Sequence, residues 1–259
     1  MTSLLEEAAV AASRARPNWL LSALGPTGFA TVADSCQVIR THVEDTLWEP
    51  DRPIEHVYFP TSGCLSVISV LDDDVSVEVG TVGWEGMAGL SLLHGIDRVA
   101  TKCIVQVSGS ALRMSTAQFT LLLATNPSLL RLMHLYAQFW SEQSARSIAC
   151  NGAHSVDQRC ARWLLMTEDR VGEAKLPLSH KFLSIMLGVR RASVSVAAKS
   201  LQDAGLITYT RGKINVIDRP GLMAASCSCY AAISKSYSSL LPEAALQGVH
   251  GVSYFLSND

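Results

Sequence analysis

The chain has 259 residues, 48% of them apolar, enough for two compact domains or one large one, which excludes a disordered polymer. Its formal net charge is −2 with seven histidines counted neutral, so attraction to a polyanion has to come from a local patch rather than from the whole molecule. No apolar run reaches the roughly 18 residues of a membrane-spanning helix, and a start carrying Glu6 and Glu7 is neither a secretory signal nor a transit peptide, so a cytoplasmic location and no membrane partner are expected.

Residues 3 to 24 read as helical, with Leu4, Leu5, Ala8, Ala9 and Ala12 on one face and a break at Pro17 before Trp19, Leu20 and Leu21. Residues 1–35 form an N-terminal helical segment on this reading. From about residue 36 the apolar period changes to two: Val57 and Phe59, Cys64 to Val70, Val75, Val77 and Val79, then Cys103, Val105 and Val107. Pro60, Gly63, the Asp72-Asp73-Asp74 run, Gly80, Gly83, Gly86, Gly89, Gly95 and Gly109 punctuate these runs as turns. Many short strands predict a sandwich or barrel over 36–124, and the three aspartates read as a solvated hairpin tip rather than a metal site.

After Ala111 the pattern turns helical, and Pro127 opens a stretch to about Asn151 free of proline and glycine, which predicts one long helix, assigned to 125–152. Its first half is apolar on most sides (Leu129, Leu130, Leu132, Met133, Leu135, Tyr136, Phe139, Trp140), so one face is expected to meet the sheet and another a second copy of the chain. Gly152 ends it, and Ser155 with Gln158 has the spacing of a capping box for a helix running to about Val171.

The most informative spacing lies between His180 and Leu201. A helix ending in Leu187-Gly188-Val189 is followed by a tight turn and a second helix from about Arg191. In that helix Val194, Ala197, Ala198 and Leu201 make one buried face, which leaves Ala192, Ser195, Val196 and Lys199 outward, preceded by Arg190 and Arg191. Ser193 joins the same surface. A small, hydroxylated, basic face of this kind suits the DNA major groove. Between Lys175 and Arg219 the eight cations (175, 181, 190, 191, 199, 211, 213, 219) outnumber the two acids, Asp203 and Asp218. Leu206 to Thr210 and Ile214 to Ile217 flank Arg211-Gly212-Lys213, the pattern of a β-hairpin wing with cations for phosphate at its tip. This unit occupies 153–240 and leaves 241–259 as a tail.

Seven cysteines (Cys36, Cys64, Cys103, Cys150, Cys160, Cys227, Cys229) do not form a disulfide framework and read as reduced thiols. Cys227 and Cys229 are close in sequence, but a lone Cys-x-Cys on a helix without a second ligand pair reads as idle, and no metal is expected. No Ser-His-Asp order, nucleophile elbow, phosphate loop or H-E-x-x-H helix is present, and His154, Asp157 and Asp169 need no catalytic role, so no enzymatic activity is expected.

The segment "LPLSHKFLSIMLGVRRASVSVAAKSLQDAGLITYTRGKINVIDRPGL", preceded by "SVDQRCARWLLMTEDRVG", resembles the helix-turn-helix and wing of the CRP/FNR family of bacterial regulators. "PIEHVYFPTSGCLSVISV" and "VEVGTVGWEGMAGL" extend a looser likeness over about residues 18 to 235. The resemblance implies an α+β chain: an N-terminal jelly-roll-like β-roll effector domain, a long dimerisation helix, and a C-terminal winged helix on a two-fold symmetric operator, the regulator responding to an unidentified signal or being constitutively active. The family's base-reading arginine, glutamate and second arginine correspond to Arg191, Ala192 and Val196, of which only the first is kept.

The family's cyclic-nucleotide binders carry a Gly-Glu turn for the ribose and an Arg-Ser/Thr pair for the phosphate. Glu85 and Arg98 match in part, while Val99 lacks the phosphate-holding hydroxyl, so cyclic nucleotide binding is disfavoured. The N-terminal cysteine cluster of the iron-sulfur sensors is missing, and for His42, His56 and His94 a structural role is favoured over haem ligation. The expected partners are double-stranded operator DNA, a second copy of the chain and RNA polymerase. The competing reading is a nucleotide-sensing module that acts through a protein partner, its helix-turn-helix only architectural.

Overall fold

The computed structural model describes residues 17–71, 76–210 and 212–240. The expected helical face from Leu4 to Ala12, the Asp72–Asp74 tip, Arg211 and the 241–259 tail lie outside them.

Two short helices, α1 (Trp19–Ser22) and α2 (Gly25–Ala33), open the described chain. Asn18 caps the first by accepting from the Leu21 amide, and its side-chain amide donates to the carbonyls of Pro60 and Gly86. One buried polar side chain thus ties the entry segment to the sheet.

Strands β1 (Gln37–Thr41), β2 (Thr46–Trp48), β3 (His56–Val70), β4 (Ser76–Val82) and β5 (Thr101–Ser115) form an antiparallel sheet in the order β1-β5-β3-β4, with β2 also on β5. The separate short runs expected around Pro60 and Gly63 are one 15-residue strand. These residues mark register shifts against β5 rather than turns. Gly63 has φ +76°, and a side chain there would meet the Val107 carbonyl, so it is a bulge that bends the strand without ending it. Gly109, also expected at a turn, lies within β5 facing that bulge. The switch to helix comes at Thr116 rather than after Ala111, because Leu112 and Met114 still point inward from β5.

Helix α3 (Thr116–Thr125) leads into the 27-residue helix α4 (Pro127–Ala153), capped by Asn126 and opened by proline. Leu129, Leu132, Met133, Tyr136 and Phe139 are buried within the same chain, and Leu130, Leu135 and Trp140 lean on the core. Gly152 is helical. The helix stops at His154, whose extended backbone (φ −118°) turns the chain into α5 (Val156–Val171), where Ser155 and Gln158 close both halves of a capping box.

The C-terminal part follows as β6 (Lys175–Leu176), α6 (His180–Leu187), α7 (Arg191–Asp203), β7 (Ile207–Thr210), β8 (Lys213–Val216), α8 (Arg219–Ala225) and α9 (Cys229–Leu240), with the strands ordered β6-β8-β7. Helix α9 returns to pack on the long helix α4. Tyr237 stacks against Trp19 at 5.0 Å and meets Phe139 edge-on at 4.9 Å, and Trp19 lies 5.3 Å from Trp84. Entry segment, sheet, long helix and last helix therefore share one aromatic core. Among the described residues no helix is long and apolar enough to cross a membrane.

Candidate nucleic-acid interface

Ser179 caps α6 by accepting from the Phe182 amide, and the helix ends at Gly188 in the left-handed region (φ 59°, ψ 40°). A Cβ there would sit 3.3 Å from Val77 of β4, so glycine serves both the backbone turn and the close approach of the sheet. Arg190 is extended and α7 starts at Arg191. Val194, Ala197, Ala198 and Leu201 are buried as the spacing requires, while Arg190, Arg191, Ala192, Ser195, Val196 and Lys199 are exposed and Ser193 is half-buried.

Val196, on the outer face of α7, is 68% exposed. Ser195 Oγ lies 3.0 Å from His180 Nδ1, whose ring stacks on Tyr209 at 4.2 Å, so the first helix, the recognition face and the wing are cross-linked. Burial holds the His180 pKa below the usual imidazole value, which keeps that ring a neutral partner. Lys199 pairs with Asp203 one turn on at 2.9 Å. As both are exposed, this pair is weak.

β7 and β8 pair from Ile207↔Val216 to Thr210↔Lys213, which puts the exposed Lys213 at the wing tip. One member of the expected patch is not on it. Arg219 is drawn into the interior, bonding Glu168 and Asp169 at 2.5 Å each and Tyr230 at 2.8 Å, and so fastens α8 to α5.

The helix-turn-helix unit is docked on the sheet through a polar seam. Glu85, buried, pairs with the Arg170 Nε of α5 at 2.8 Å, and Arg170 also reaches Gln143 of the long helix at 3.1 Å. Trp84 Nε1 donates to the Asp169 carbonyl. Glu78 accepts from Ser66 at 2.7 Å and from Trp163 of α5 at 2.8 Å, and burial pushes its carboxyl up to about 7 against the pull of those bonds.

The three candidate effector residues are in three places. Glu85 is held in the seam; Arg98 is exposed and donates to the Asp51 carbonyl at 2.9 Å; Val99 lines a cavity of about 230 Å³ with Trp48, Met87 and Trp140. His42 is exposed beside Asp45, His56 half-buried and His94 exposed, on separate elements.

One constellation is assembled only by the fold. Cys227 lies in the connector before α9 and Cys229 begins that helix, and the fold brings Cys150 and His154, from the end of the long helix, to them. The available signal was the four-residue spacing of Cys150 and His154, which places both on one face of a helix end.

Residues 158–225 match the model of the Crp-like helix-turn-helix domain. The chain is similar in structure to FixK2 from Bradyrhizobium japonicum (TM-score 0.64, 15% identity, 74% of this chain and 98% of that one). It is also similar to a CRP-family transcriptional regulator from Thermus thermophilus (0.61, 18%, 73% and 96%) and to the c-di-GMP responsive global regulator CLP from Xanthomonas campestris (0.60, 18%, 72% and 96%). No curated protein sequence matches the chain. The chain has the fold of the CRP/FNR transcription regulators and, in residues 158–225, a Crp-like helix-turn-helix domain.

Proposed function

We propose that the protein is a cytoplasmic, homodimeric, sequence-specific DNA-binding transcription regulator, built from a β-roll (36–124), a long dimerisation helix (125–152) and a winged helix (153–240). The observation that carries this reading is the outer face of α7: two arginines at its start, then Ala192, Ser195, Val196 and Lys199, all exposed and backed by a buried apolar face.

In a major groove Arg191 would take guanine O6 and N7 in a bidentate pair, Ala192 and Val196 would meet thymine methyls, and Arg190, Ser193, Ser195 and Lys199 would hold backbone phosphates. Lys213, with Arg211, would reach phosphates from the wing. The exposed residues His134, Gln138, Ser141, Ala145 and Ile148 recur along the long helix at alternating spacings of four and three, the seam spacing of paired helices, and supply the face for a second copy. RNA polymerase is the further partner of such a regulator at a promoter.

Binding requires no cyclic nucleotide on this reading, because the Glu85 carboxylate is already neutralised by Arg170 and Val99 offers no hydroxyl to a phosphate. The test is binding of the full chain to its own upstream DNA at stated salt, without nucleotide and with cAMP, cGMP or cyclic di-GMP. Specific binding in every arm is expected; no binding above non-specific competitor in any arm would sink the regulator, and binding in a nucleotide arm alone would restore Glu85 and Arg98 as ligands.

A further inference from the structure

Three buried cysteines, Cys150, Cys227 and Cys229, form an island of their own, separate from the main core. With His154, half-buried, they present four ligand atoms that all lie within 4.8 Å of one another. Cys150 Sγ is 3.5 Å from Cys227 Sγ, and Cys229 Sγ is 3.8 Å from His154 Nδ1. On one tetrahedral zinc, with bonds of about 2.3 Å to sulfur and about 2.0 Å to nitrogen, two sulfurs lie roughly 3.8 Å apart and a sulfur and a nitrogen roughly 3.6 Å apart. The observed separations have that size, and they are far longer than a disulfide.

The surroundings fit as well. Three thiolates and a neutral imidazole around a divalent ion leave one negative charge, and the guanidinium groups of Arg159 and Arg162 act on these same sulfurs from α5. Arg162 is buried and its Nε has no hydrogen-bond partner. Arg159 also donates to the Leu187 carbonyl at the helix-turn-helix turn. A thiophilic cation would draw its four ligands from the protein alone and leave no open position, the arrangement of a structural rather than a catalytic site.

We infer that Cys150, His154, Cys227 and Cys229 form a zinc site that clamps the end of the long helix to the start of the last helix. Coordination expels the three thiol protons to solvent and leaves the metal's oxidation state unchanged. The clamp ends at His154, next to Ser155, which caps the helix that leads into the helix-turn-helix unit.

The test uses the full chain, needs no DNA, and so stands or falls apart from the regulator reading. Purified protein should carry one zinc per chain, and the apo protein titrated with cobalt(II) should saturate at one equivalent with intense tetrahedral bands and thiolate charge transfer. Cys227→Ser and His154→Ala should weaken cobalt binding at least tenfold, while Cys36→Ser should not. Because Cys227 is buried and its substitution also removes packing, alkylation of the unaltered chain is the second readout. Zinc should lower labelling of Cys150, Cys227 and Cys229 relative to the apo protein and leave labelling of Cys36 unchanged. Substoichiometric metal with no tetrahedral cobalt spectrum, unchanged alkylation with zinc, or a Cys150–Cys227 disulfide in anaerobically purified protein would overturn the site.

Discussion

On the proposed reading, Arg191 at the exposed start of α7 reads a base pair, since a planar guanidinium can satisfy guanine O6 and N7 together. Arg191→Ala is therefore expected to lower affinity for the specific site by ~10- to 100-fold, corresponding to about 1–3 kcal/mol, with a much smaller effect on random DNA. Competition titrations of both DNAs check this, and equal losses on both would reduce Arg191 to a phosphate contact. Glu78 gives a prediction of another kind. Its folded pKa of about 7 lies above the ordinary carboxylate value, so the protonated form favours folding; that stability is complete below about pH 4 and is lost as pH rises through 7. The loss is on the order of 3 kcal/mol. Denaturant unfolding at pH 6 and pH 8 should show the chain weaker at pH 8, with the difference shrinking in Glu78→Gln, whose amide oxygen can still accept from Ser66 or Trp163. These residues differ in how legible they were. Arg191 announces itself by its place at a helix start, whereas Glu78 lies in an alternating strand, and partners such as Trp163, 85 positions away, become visible only in the fold.

At the scale of elements, local rules were sufficient where they were self-contained. Ser155 and Gln158 form the capping box their spacing implies, Gly188 takes the left-handed turn, and α7 buries the four residues its periodicity selects. Ser155→Ala should cost about 1 kcal/mol in thermal or denaturant unfolding; no measurable loss would mean the helix start is held by other contacts. Pro60, Gly63 and Gly109 misled, because the same residues that make turns also make bulges, and only cross-strand pairing tells the two apart. The wing needs its own test. Lys213→Ala is expected to weaken all DNA sequences alike and to lower the slope of log affinity against log salt by about one. A change confined to one sequence would contradict a phosphate role.

The whole molecule is where sequence reading ran out, since docking of the helix-turn-helix on the sheet depends on side chains scattered over the chain. Glu85 with Arg170, Trp84 with Asp169, and Arg219 with Glu168 and Asp169 were not legible as partners. The apolar half of the long helix, expected to need a partner subunit for one face, is covered mostly from within, partly by Tyr237 of the last helix. What is left for a second copy is the outer strip ending at Ile148, which is 74% exposed. Sedimentation equilibrium should find a dimer, and Ile148→Glu should shift it toward monomer; a variant as dimeric as the parent would move the interface elsewhere. The central claim, that the exposed face of α7 reads DNA, is tested most directly by fluorescence anisotropy of the full chain on its own upstream DNA, alongside Arg191→Ala and at several salt concentrations. Tight, salt-dependent, sequence-selective binding that the substitution removes is the expected result; binding no tighter than to random DNA, or selectivity untouched by the substitution, would contradict it.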